Sequence, residues 1–300
     1  MQRVIPSPHR AGFAYLAGCV AVYGIAWPVL RIGTHITQPA WFATARLSIA
    51  CVTMLIVLSV MGRLKLPTRE DWPAIFTVGA CMMGIYAILM QIGLLYVGAG
   101  RGAVLGYTTP LWVTPVAVFV RGERMTPLKA AGLVLGLAGL AVLFNPLDFD
   151  WSDRNAVMGN VLCLAAAFSW SIAILHMRVH RFRLSPVELA PWQLMLAAAI
   201  CFVGFLVLEG RQNFEWSVDA VLALSYAGPI ASGAALFLST TAMRLLPSMT
   251  VSIWLLGVPL LSLIISVAFL GEKLTVSLVG GLALIIAGLA AMTIAEARRR

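Results

Sequence analysis

Residues 122–144 read GERMTPLKAAGLVLGLAGLAVLF, and residues 271–293 read GEKLTVSLVGGLALIIAGLAAMT. The two stretches are identical at 10 of 23 positions when the second is aligned 149 residues after the first. Each begins with a Gly-Glu-x-x-Thr turn and continues as an apolar run that is rich in glycine. The same offset pairs Pro110 with Pro259 in the apolar runs that precede the turns. The chain therefore contains one unit that is written twice.

The composition is that of a membrane protein. Of the 300 residues, 61% are hydrophobic and 11% are charged, whereas soluble domains carry about 25% charged residues. One helical crossing of a bilayer takes about 20 apolar residues, so the chain has room for about ten crossings. No large soluble catalytic or nucleic-acid-binding domain fits beside them. The net charge of +9 is then explained by basic cytoplasmic loops and needs no nucleic-acid partner.

Ten apolar runs are long enough to be membrane spans. Lipid satisfies no backbone hydrogen bond, so a span is either a helix or part of a closed barrel, and these runs are too long and too uniformly apolar for barrel strands. The sequence predicts an all-α membrane protein with ten transmembrane helices. The predicted spans are residues 11–30, 39–61, 72–95, 102–120, 127–144, 156–177, 186–208, 218–243, 248–270 and 274–295.

The repeat and the basic residues together predict the topology. Each copy holds five spans, and because five is odd, the second copy crosses the membrane in the opposite sense. This gives two inverted-topology repeats, 1–147 and 148–300. With the N-terminus in the cytoplasm, 15 of the 21 Lys and Arg residues lie inside and five lie outside, which predicts that both termini are cytoplasmic. Inverted repeats are typical of secondary transporters that bind substrate near the midplane.

Charged residues are scarce within the predicted spans. All twelve Asp and Glu residues lie in loops or within about a turn of a span end. Carriers coupled to protons or sodium commonly place a carboxylate at membrane depth, so this pattern favours facilitated diffusion or exchange without a driving ion. Arg46 is the one formal charge well inside a span. It is either a functional group or a long side chain that reaches the outer headgroups.

The Gly-Glu-x-x-Thr turns have a structural explanation. Thr126 before Pro127 is typical of a helix start, and Thr275 can cap its helix in the same way. Glu123 and Glu272 then stand just before positive helix ends.

Motifs for a metal, a cofactor or ATP hydrolysis are not found. His176 and His180 have the spacing of two ligands on one helix face, but no third ligand accompanies them. No GxxxxGK[ST] phosphate loop occurs. We expect no cofactor and no metal, and nothing in the chain implies an ATPase subunit.

Deep aromatic and polar residues predict a cavity. A Trp N–H or Tyr O–H needs a partner, which a cavity supplies better than lipid does, although helix packing is an equal explanation for each ring. Two prolines free carbonyls at mid-membrane, which is tolerated against protein or a wet cavity; they mark either a site or simple kinks. The predicted residues are Tyr86, Gln91, Tyr107, Trp112, Trp170 and Trp254 for substrate binding, Pro110 and Pro259 as helix breaks, and Arg46 as the intramembrane charge.

These features resemble the EamA type of the drug/metabolite transporter superfamily. The resemblance is carried by the paired turns, Pro110, Pro259, the arginine of Ala45-Arg46-Leu47, and Trp170. The tryptophan-glycine pair common in the family's first helix is Tyr23-Gly24 here, a modest departure. The resemblance implies ten helices in two inverted repeats, and carriage, usually export, of small metabolites. Within the superfamily the chain looks most like amino-acid and metabolite exporters, and more narrowly like aromatic amino acid exporters.

The predicted function is export across the inner membrane by alternating access through a midplane cavity between spans 1, 3, 4, 6, 8 and 9. The expected partners are a small-molecule substrate and the lipid bilayer. Amino acids with aromatic or apolar side chains match aromatic walls; nucleobases, sugars and cationic drugs are the alternative cargoes. A membrane-embedded lipid-modifying enzyme is an alternative of another class, for which Asp148, Asp150 and Asp153 are the only candidate cluster. A non-transporting sensor is a third.

Overall fold

In the computed structural model, which describes residues 8–119, 125–144, 151–177, 183–214 and 216–298, every regular element is helical. Nine helices of this described part are long and apolar enough to cross a membrane, and one more apolar helix is shorter. The helices are α1 (Pro8–Ile36), α2 (Pro39–Val60), α3 (Trp72–Phe76, Thr77–Ile85 and Tyr86–Gly93), α4 (Ala99–Gly106 and Thr109–Phe119), α5 (Pro127–Phe144, the shorter one), α6 (Arg154–Met177), α7 (Pro186–Leu208), α8 (Val218–Ser225, Tyr226–Ala234 and Ala235–Leu245), α9 (Ser248–Leu255 and Gly257–Leu270) and α10 (Val276–Ala297).

The prediction of an all-α membrane protein is confirmed, and the helix bounds mostly lie within a few residues of the predicted ones. The largest difference is α1, which continues through Ile36. Polar residues do not end it, because the Thr34 hydroxyl donates to the Leu30 carbonyl one turn earlier at 2.7 Å. The predicted boundary between residues 147 and 148 lies outside the described residues and stays a prediction.

A π-helical segment lies in the third helix of each half. In α3 it spans Thr77–Ile85, and in α8 it spans Tyr226–Ala234. The 149-residue offset of the repeat relates the two segments residue by residue. A π-helix is wider than an α-helix, is rare, and is frequently found at functional sites. The repeat therefore preserves an unusual backbone geometry as well as sequence.

Each π segment packs a glycine against the second helix of the other half. A Cβ atom on Gly79 of α3 would lie 2.9 Å from the carbonyl oxygen of Gln193 in α7. A Cβ atom on Gly228 of α8 would lie 3.1 Å from the carbonyl oxygen of Arg46 in α2. The two glycines are 149 residues apart. Only a residue without a side chain allows this approach, so the two halves interlock through equivalent contacts.

Helices α4 and α9 are interrupted at equivalent places. The break in α4 is at Tyr107-Thr108, and the break in α9 is at Leu256. Each break is followed within three residues by a proline, Pro110 or Pro259. Pro110 is in the first turn of the new segment, where its missing N–H leaves no hydrogen bond unmade.

The repeated glycines form the contact between α5 and α10. A Cβ atom on Gly132 would lie 2.7 Å from the Gly288 carbonyl oxygen, and one on Gly139 would lie 2.8 Å from the Gly281 carbonyl oxygen. Such close backbone contact is the use that membrane helices make of small residues. The two helices that follow the duplicated turns therefore pack against each other, one from each half of the chain.

Two adjacent glycines of α10 provide a matched test of this packing. A Cβ atom on Gly281 would lie 2.8 to 2.9 Å from Gly139 and Leu143, largely from their backbones, whereas one on Gly280 would be 3.6 Å from the Val142 side chain. We expect Gly281→Ala to cost about 1–3 kcal/mol of stability through overpacking. Gly280→Ala is expected to be neutral or stabilising, since alanine favours the helix. The measurement is the apparent melting temperature of both variants in detergent; equal melting would contradict the packing of α5 on α10.

Candidate functional site

A cavity of about 1010 Å³ lies between the two halves of the bundle. All ten helices contribute to its wall, more than the six predicted. Its volume is at the upper end of the range of about 300–1,000 Å³ that is usual for small-molecule pockets. The polar and aromatic lining residues are Tyr23, Trp27, Arg46, Tyr86, Tyr107, Thr109, Thr114, Lys129, Trp170, Ser232, Ser239, Ser252 and Thr293.

The cavity reaches the surface on the side where helix α1 begins and helix α10 ends, which we call the terminal face. Met243 and Pro247, at the connection from α8 to α9, line the cavity there and are exposed. Lys129 near the start of α5 and Thr293 near the end of α10 line the same end. A solute can therefore enter between these helices.

The opposite face is closed by contacts of Glu272. Its carboxylate accepts hydrogen bonds from the backbone N–H groups of Gly100 (3.0 Å) and Arg101 (3.3 Å) at the start of α4. Gly98 approaches this carboxylate so closely that any Cβ atom there would overlap it. Unpaired N–H groups and the helix dipole make a helix start a favourable place for a carboxylate. Glu272 thus ties the α9–α10 turn of the second half to α4 of the first.

Arg101 extends the same closure to two further helices. Its Nε donates to Asn160 Oδ1 of α6 at 2.8 Å, and its Nη2 donates to the carbonyl oxygen of Leu143 in α5 at 3.2 Å. We call Glu272, Arg101 and Asn160 the opposite-face clasp. The structure therefore represents a state that is open to the terminal face and closed to the other.

The role of Glu272 differs from the prediction in one respect. Thr275 caps its own helix, accepting the N–H of Leu278 at 3.1 Å, and Thr126 accepts the N–H of Lys129 at 3.2 Å, as expected. The carboxylate of Glu272, however, caps a helix of the other half. The sequence around Glu272 indicates that a helix begins just after it. It does not indicate that the carboxylate contacts the start of a helix elsewhere in the chain. Glu123, its repeat counterpart, lies outside the described residues.

Glu209, between α7 and α8, also contacts the other half. Its carboxylate accepts the N–H groups of Ala40 (2.7 Å) and Trp41 (3.0 Å), which begin α2. Trp41 also packs edge-on against Trp216 at 5.3 Å between ring centroids. The loops of the second half therefore hold the starts of two helices of the first.

Asp71 makes the reciprocal contact on the terminal face. This buried carboxylate accepts backbone N–H groups from Arg183 (3.3 Å) and Leu184 (3.5 Å), just before α7, and bonds to Thr68. Burial acts to raise the pKa of Asp71, but the hydrogen bonds from Thr68, Leu184 and Arg183 outweigh it and lower the pKa. The carboxylate therefore stays ionised as a structural anchor.

Tyr86 and Trp170 form the aromatic centre of the cavity. Their rings meet edge-to-face, with centroids 4.7 Å apart and planes at 70°. Tyr107 and Pro110, at the break in α4, line the cavity with them. Trp27 lies against Gly106, where a Cβ atom would be 2.7 Å from the indole ring. The structure thus brings Tyr86, Tyr107, Trp170 and Pro110 of the predicted site together.

Four other predicted residues do not line the cavity. Gln91 is buried beside Thr34, whose hydroxyl lies 3.1 Å from its Oε1. Trp112 packs edge-on against Phe168 at 5.6 Å. Trp254 is 43% exposed and contacts Phe13 at 5.7 Å, and Pro259 is buried within α9. Helices that are apolar on every side carry no amphipathic signal to show which face meets the cavity.

Arg46 projects into the cavity. Its Nη1 donates to Ser232 Oγ of the α8 π segment at 3.3 Å. Ser232 in turn donates to the carbonyl oxygen of Ala227 at 2.8 Å. Of the two explanations left open by the sequence, this placement fits a group facing the interior better than one reaching the headgroups.

The sequence missed several cavity residues, chiefly Lys129, Ser232 and Ser239. Lys129 is one of the cytoplasmic basic residues that predict the topology. In the structure it is only 3% exposed and lies in the first turn of α5. Its position after Pro127, inside the capped helix, is the signal that could have placed it. Within the described lining, Arg46 and Lys129 are the formal charges, and neither Asp nor Glu occurs.

A helical membrane protein with repeated halves around a cavity, closed at one face and reaching the surface at the other, has the architecture of a secondary transporter. The chain belongs to the EamA-like transporter family, whose model matches residues 10–145 and 157–294. The predicted family and the predicted multi-pass membrane location are thereby confirmed.

Similar proteins include transporters with and without an assigned cargo. The uncharacterized transporter YoaV of Bacillus subtilis (strain 168) is 28% identical over 280 residues, which cover 93% of this chain and 95% of that protein. A probable amino-acid metabolite efflux pump of Escherichia coli (strain K12) is 24% identical over 278 residues, covering 90% of each chain. A protein of known crystal structure, 21% identical, superimposes with a TM-score of 0.65 over 98% of both chains and so shares the fold.

Proposed function

We propose that this protein exports amino acids with apolar or aromatic side chains, or closely related metabolites, by alternating access. The observation that carries the proposal is the cavity itself, whose wall holds the Tyr86–Trp170 pair and Arg46 and which is closed on one face only. Aromatic rings suit an apolar side chain. The relative named as a probable amino-acid metabolite efflux pump supports the same class of cargo.

Membrane orientation follows from the basic residues. The positive-inside bias supports a cytoplasmic location for both termini, and with them for the terminal face. The cavity would then take up its solute from the cytoplasmic side of the inner membrane, as export requires. Helix α5 is counted as the tenth span because its 18 residues give a length of ~27 Å and it packs along α10.

The two repeats supply equivalent moving parts. The π segments of α3 and α8 and the breaks of α4 and α9 lie at matching positions around the cavity. Met82 and Met83 line it from one π segment, and Ala231 and Ser232 line it from the other. Opening the opposite face requires Glu272 to leave the start of α4, while the terminal face closes by the equivalent movement of the other half.

We expect transport to be independent of a proton gradient. Proton carriers hold the proton on a carboxylate at membrane depth, and the described cavity wall contains none. The test is uptake of radiolabelled phenylalanine and leucine into proteoliposomes of purified protein, with and without a pH gradient. We expect saturable uptake in both conditions with no uphill accumulation.

Two results of this experiment would count against the proposal. Accumulation driven uphill by the pH gradient would contradict the absence of coupling. Failure of the wild-type protein to move any amino acid would contradict the cargo and return the choice to nucleobases, sugars and cationic drugs. Cationic drugs suit the site least, because the positive charge of Arg46 repels them.

The alternative function, a lipid-modifying enzyme, has three candidate carboxylates, and one of them has a structural role. Asp153 accepts hydrogen bonds from the N–H groups of Asn155 (3.0 Å) and Ala156 (3.1 Å), which makes it the cap of α6. Asp148 and Asp150 lie outside the described residues. The family assignment to transporters also favours carriage over catalysis.

A further inference from the structure

Arg46 has hydrogen-bonding capacity in the cavity that the protein does not use. Its Nη1 has one long bond, 3.3 Å, to Ser232, and its Nε is buried with no partner among the described residues. A buried guanidinium N–H without an acceptor is costly. Arg46 also lines the cavity, so a further acceptor for its Nη groups would come from the contents of the cavity, which are water in the empty state and a solute in the loaded state.

The acceptor that suits a guanidinium best is a carboxylate. Two parallel N–H···O bonds match the planar fork of arginine to the two carboxylate oxygens, and charged bonds of this kind are roughly twice as strong as neutral ones. Ser232 cannot supply such an acceptor, because its hydroxyl proton is given to the Ala227 carbonyl and it offers only a neutral oxygen. The protein therefore presents a cation whose natural counterion is absent from the described wall.

The charges of the wall discriminate between the two ends of an amino acid. Arg46 contributes a positive charge to the wall, and neither Asp nor Glu occurs among the described lining residues. Attraction between charges is stronger in a partly desolvated cavity than in water. A solute's carboxylate is favoured there, whereas its ammonium meets only hydroxyls, carbonyls and aromatic faces.

The apolar binding surface adjoins this cation. Arg46 and Tyr86 line the same cavity, and Tyr86 contacts Trp170. A solute held at Arg46 by its carboxylate would therefore place its apolar group against the two rings.

We propose that Arg46 is the binding residue for the carboxylate of the transported solute, and that the cavity requires a carboxylate but not an ammonium group. The substrate class is then small organic acids with an apolar or aromatic group, including amino acids and their deaminated or N-acylated relatives. This inference rests on the proposed function for its setting, but it concerns binding and is testable without transport.

Equilibrium binding to purified wild-type protein in detergent tests the proposal with three probes that share a phenyl group. These are 3-phenylpropionate, phenylalanine and phenethylamine, which carry a carboxylate, both groups, and an ammonium, respectively. We expect the first two to bind with similar affinity and phenethylamine to bind at least about 10-fold more weakly, as the loss of a charged hydrogen bond implies. Phenethylamine binding as tightly as phenylalanine would overturn the proposal, whatever happens to any variant.

Variants then locate the effect. Arg46→Gln should weaken both carboxylate probes by about 10- to 100-fold while leaving phenethylamine unchanged, and Arg46→Lys should retain part of the affinity. Arg154→Gln, at the exposed start of α6, is the matched control and should bind all probes as the wild type does. Unchanged carboxylate binding in folded Arg46→Gln, checked by its melting temperature, would overturn the assignment.

The binding site and the proposed function fail in different ways. Carboxylate binding that depends on Arg46, without flux in proteoliposomes, would support the site and contradict the transporter proposal for these solutes. Amino-acid flux that is unchanged in Arg46→Gln would support the transporter and contradict the site.

Discussion

Replacing Trp170 by alanine is expected to reduce amino-acid exchange by about 10- to 100-fold, because it removes a large aromatic surface from the cavity wall. A buried tryptophan covers about 150–250 Å² and gains about 0.5–1.5 kcal/mol more from an aromatic partner. Here that partner is Tyr86, at 4.7 Å between ring centroids. Initial exchange rates in proteoliposomes, at equal amounts of reconstituted protein, measure the effect.

Trp254→Ala is the matched control for this prediction. The sequence singles out both tryptophans as deep aromatics, but the structure places Trp254 outside the cavity, 43% exposed and against Phe13. We expect its loss to leave exchange within about two-fold of the wild type, as is usual for substitutions away from the binding surface. Equal losses in the two variants would show that the cavity wall is wrongly assigned.

The second large effect is expected from Glu272→Ala, which breaks the opposite-face clasp. The variant loses the carboxylate that accepts the N–H groups of Gly100 and Arg101. Loss of a helix cap costs about 0.5–2 kcal/mol, and here that cost falls on the state closed at the opposite face. The equilibrium constant between the state open to the terminal face and the state open to the opposite face should therefore fall about 10-fold, as about 1.4 kcal/mol implies.

Cysteine labelling measures this shift. Ser239→Cys places a thiol on the cavity wall, in a background without the five native cysteines. A membrane-impermeant maleimide applied to the terminal face should label it more slowly, by up to about 10-fold, when Glu272→Ala is added. Lys273→Gln, in the same turn but exposed, should leave the rate unchanged. Labelling that does not respond to Glu272→Ala would contradict the role of the clasp.

The helices are predictable from sequence because their determinants are local. An uninterrupted apolar run of sufficient length has to be helical in lipid, and the turn before α5 and the turn before α10 carry their own caps. The π segments are not predictable in this way. Their geometry depends on Gly79 and Gly228 meeting backbone carbonyls of helices more than a hundred residues away.

The site is less predictable than the fold, and the reason is geometric. Trp170 and Trp254 both lie in apolar helices, and nothing in the neighbouring residues shows which ring faces inward. Lys129 resembles a loop cation until the cap at Thr126 is seen to set it in the first turn of α5. Arg46 can be identified from sequence because a charge in an apolar run is conspicuous. Its partner Ser232 cannot be identified in this way.

Comparing the two halves distinguishes residues that build the scaffold from the residue that we assign to substrate specificity. Parts that move or pack, such as the π segments, the prolines and the glycines of α5 and α10, recur in both halves. The charge does not, since Arg46 corresponds to Gln193 at the weaker offset of 147, and Gln193 is buried outside the cavity lining. Equivalent halves suit alternating access, whereas an arginine that is present in one half only suits one orientation of a carboxylate solute.

The most direct test of a carrier with this cavity is exchange of phenylalanine in proteoliposomes. Labelled phenylalanine is added outside, unlabelled phenylalanine is loaded inside, and the wild-type protein is compared with Trp170→Ala. We expect internal phenylalanine to accelerate entry of the label through the wild-type protein in a saturable manner, and Trp170→Ala to lose this acceleration. Equal entry with empty and loaded vesicles, or full acceleration in Trp170→Ala, would contradict transport by alternating access through the cavity.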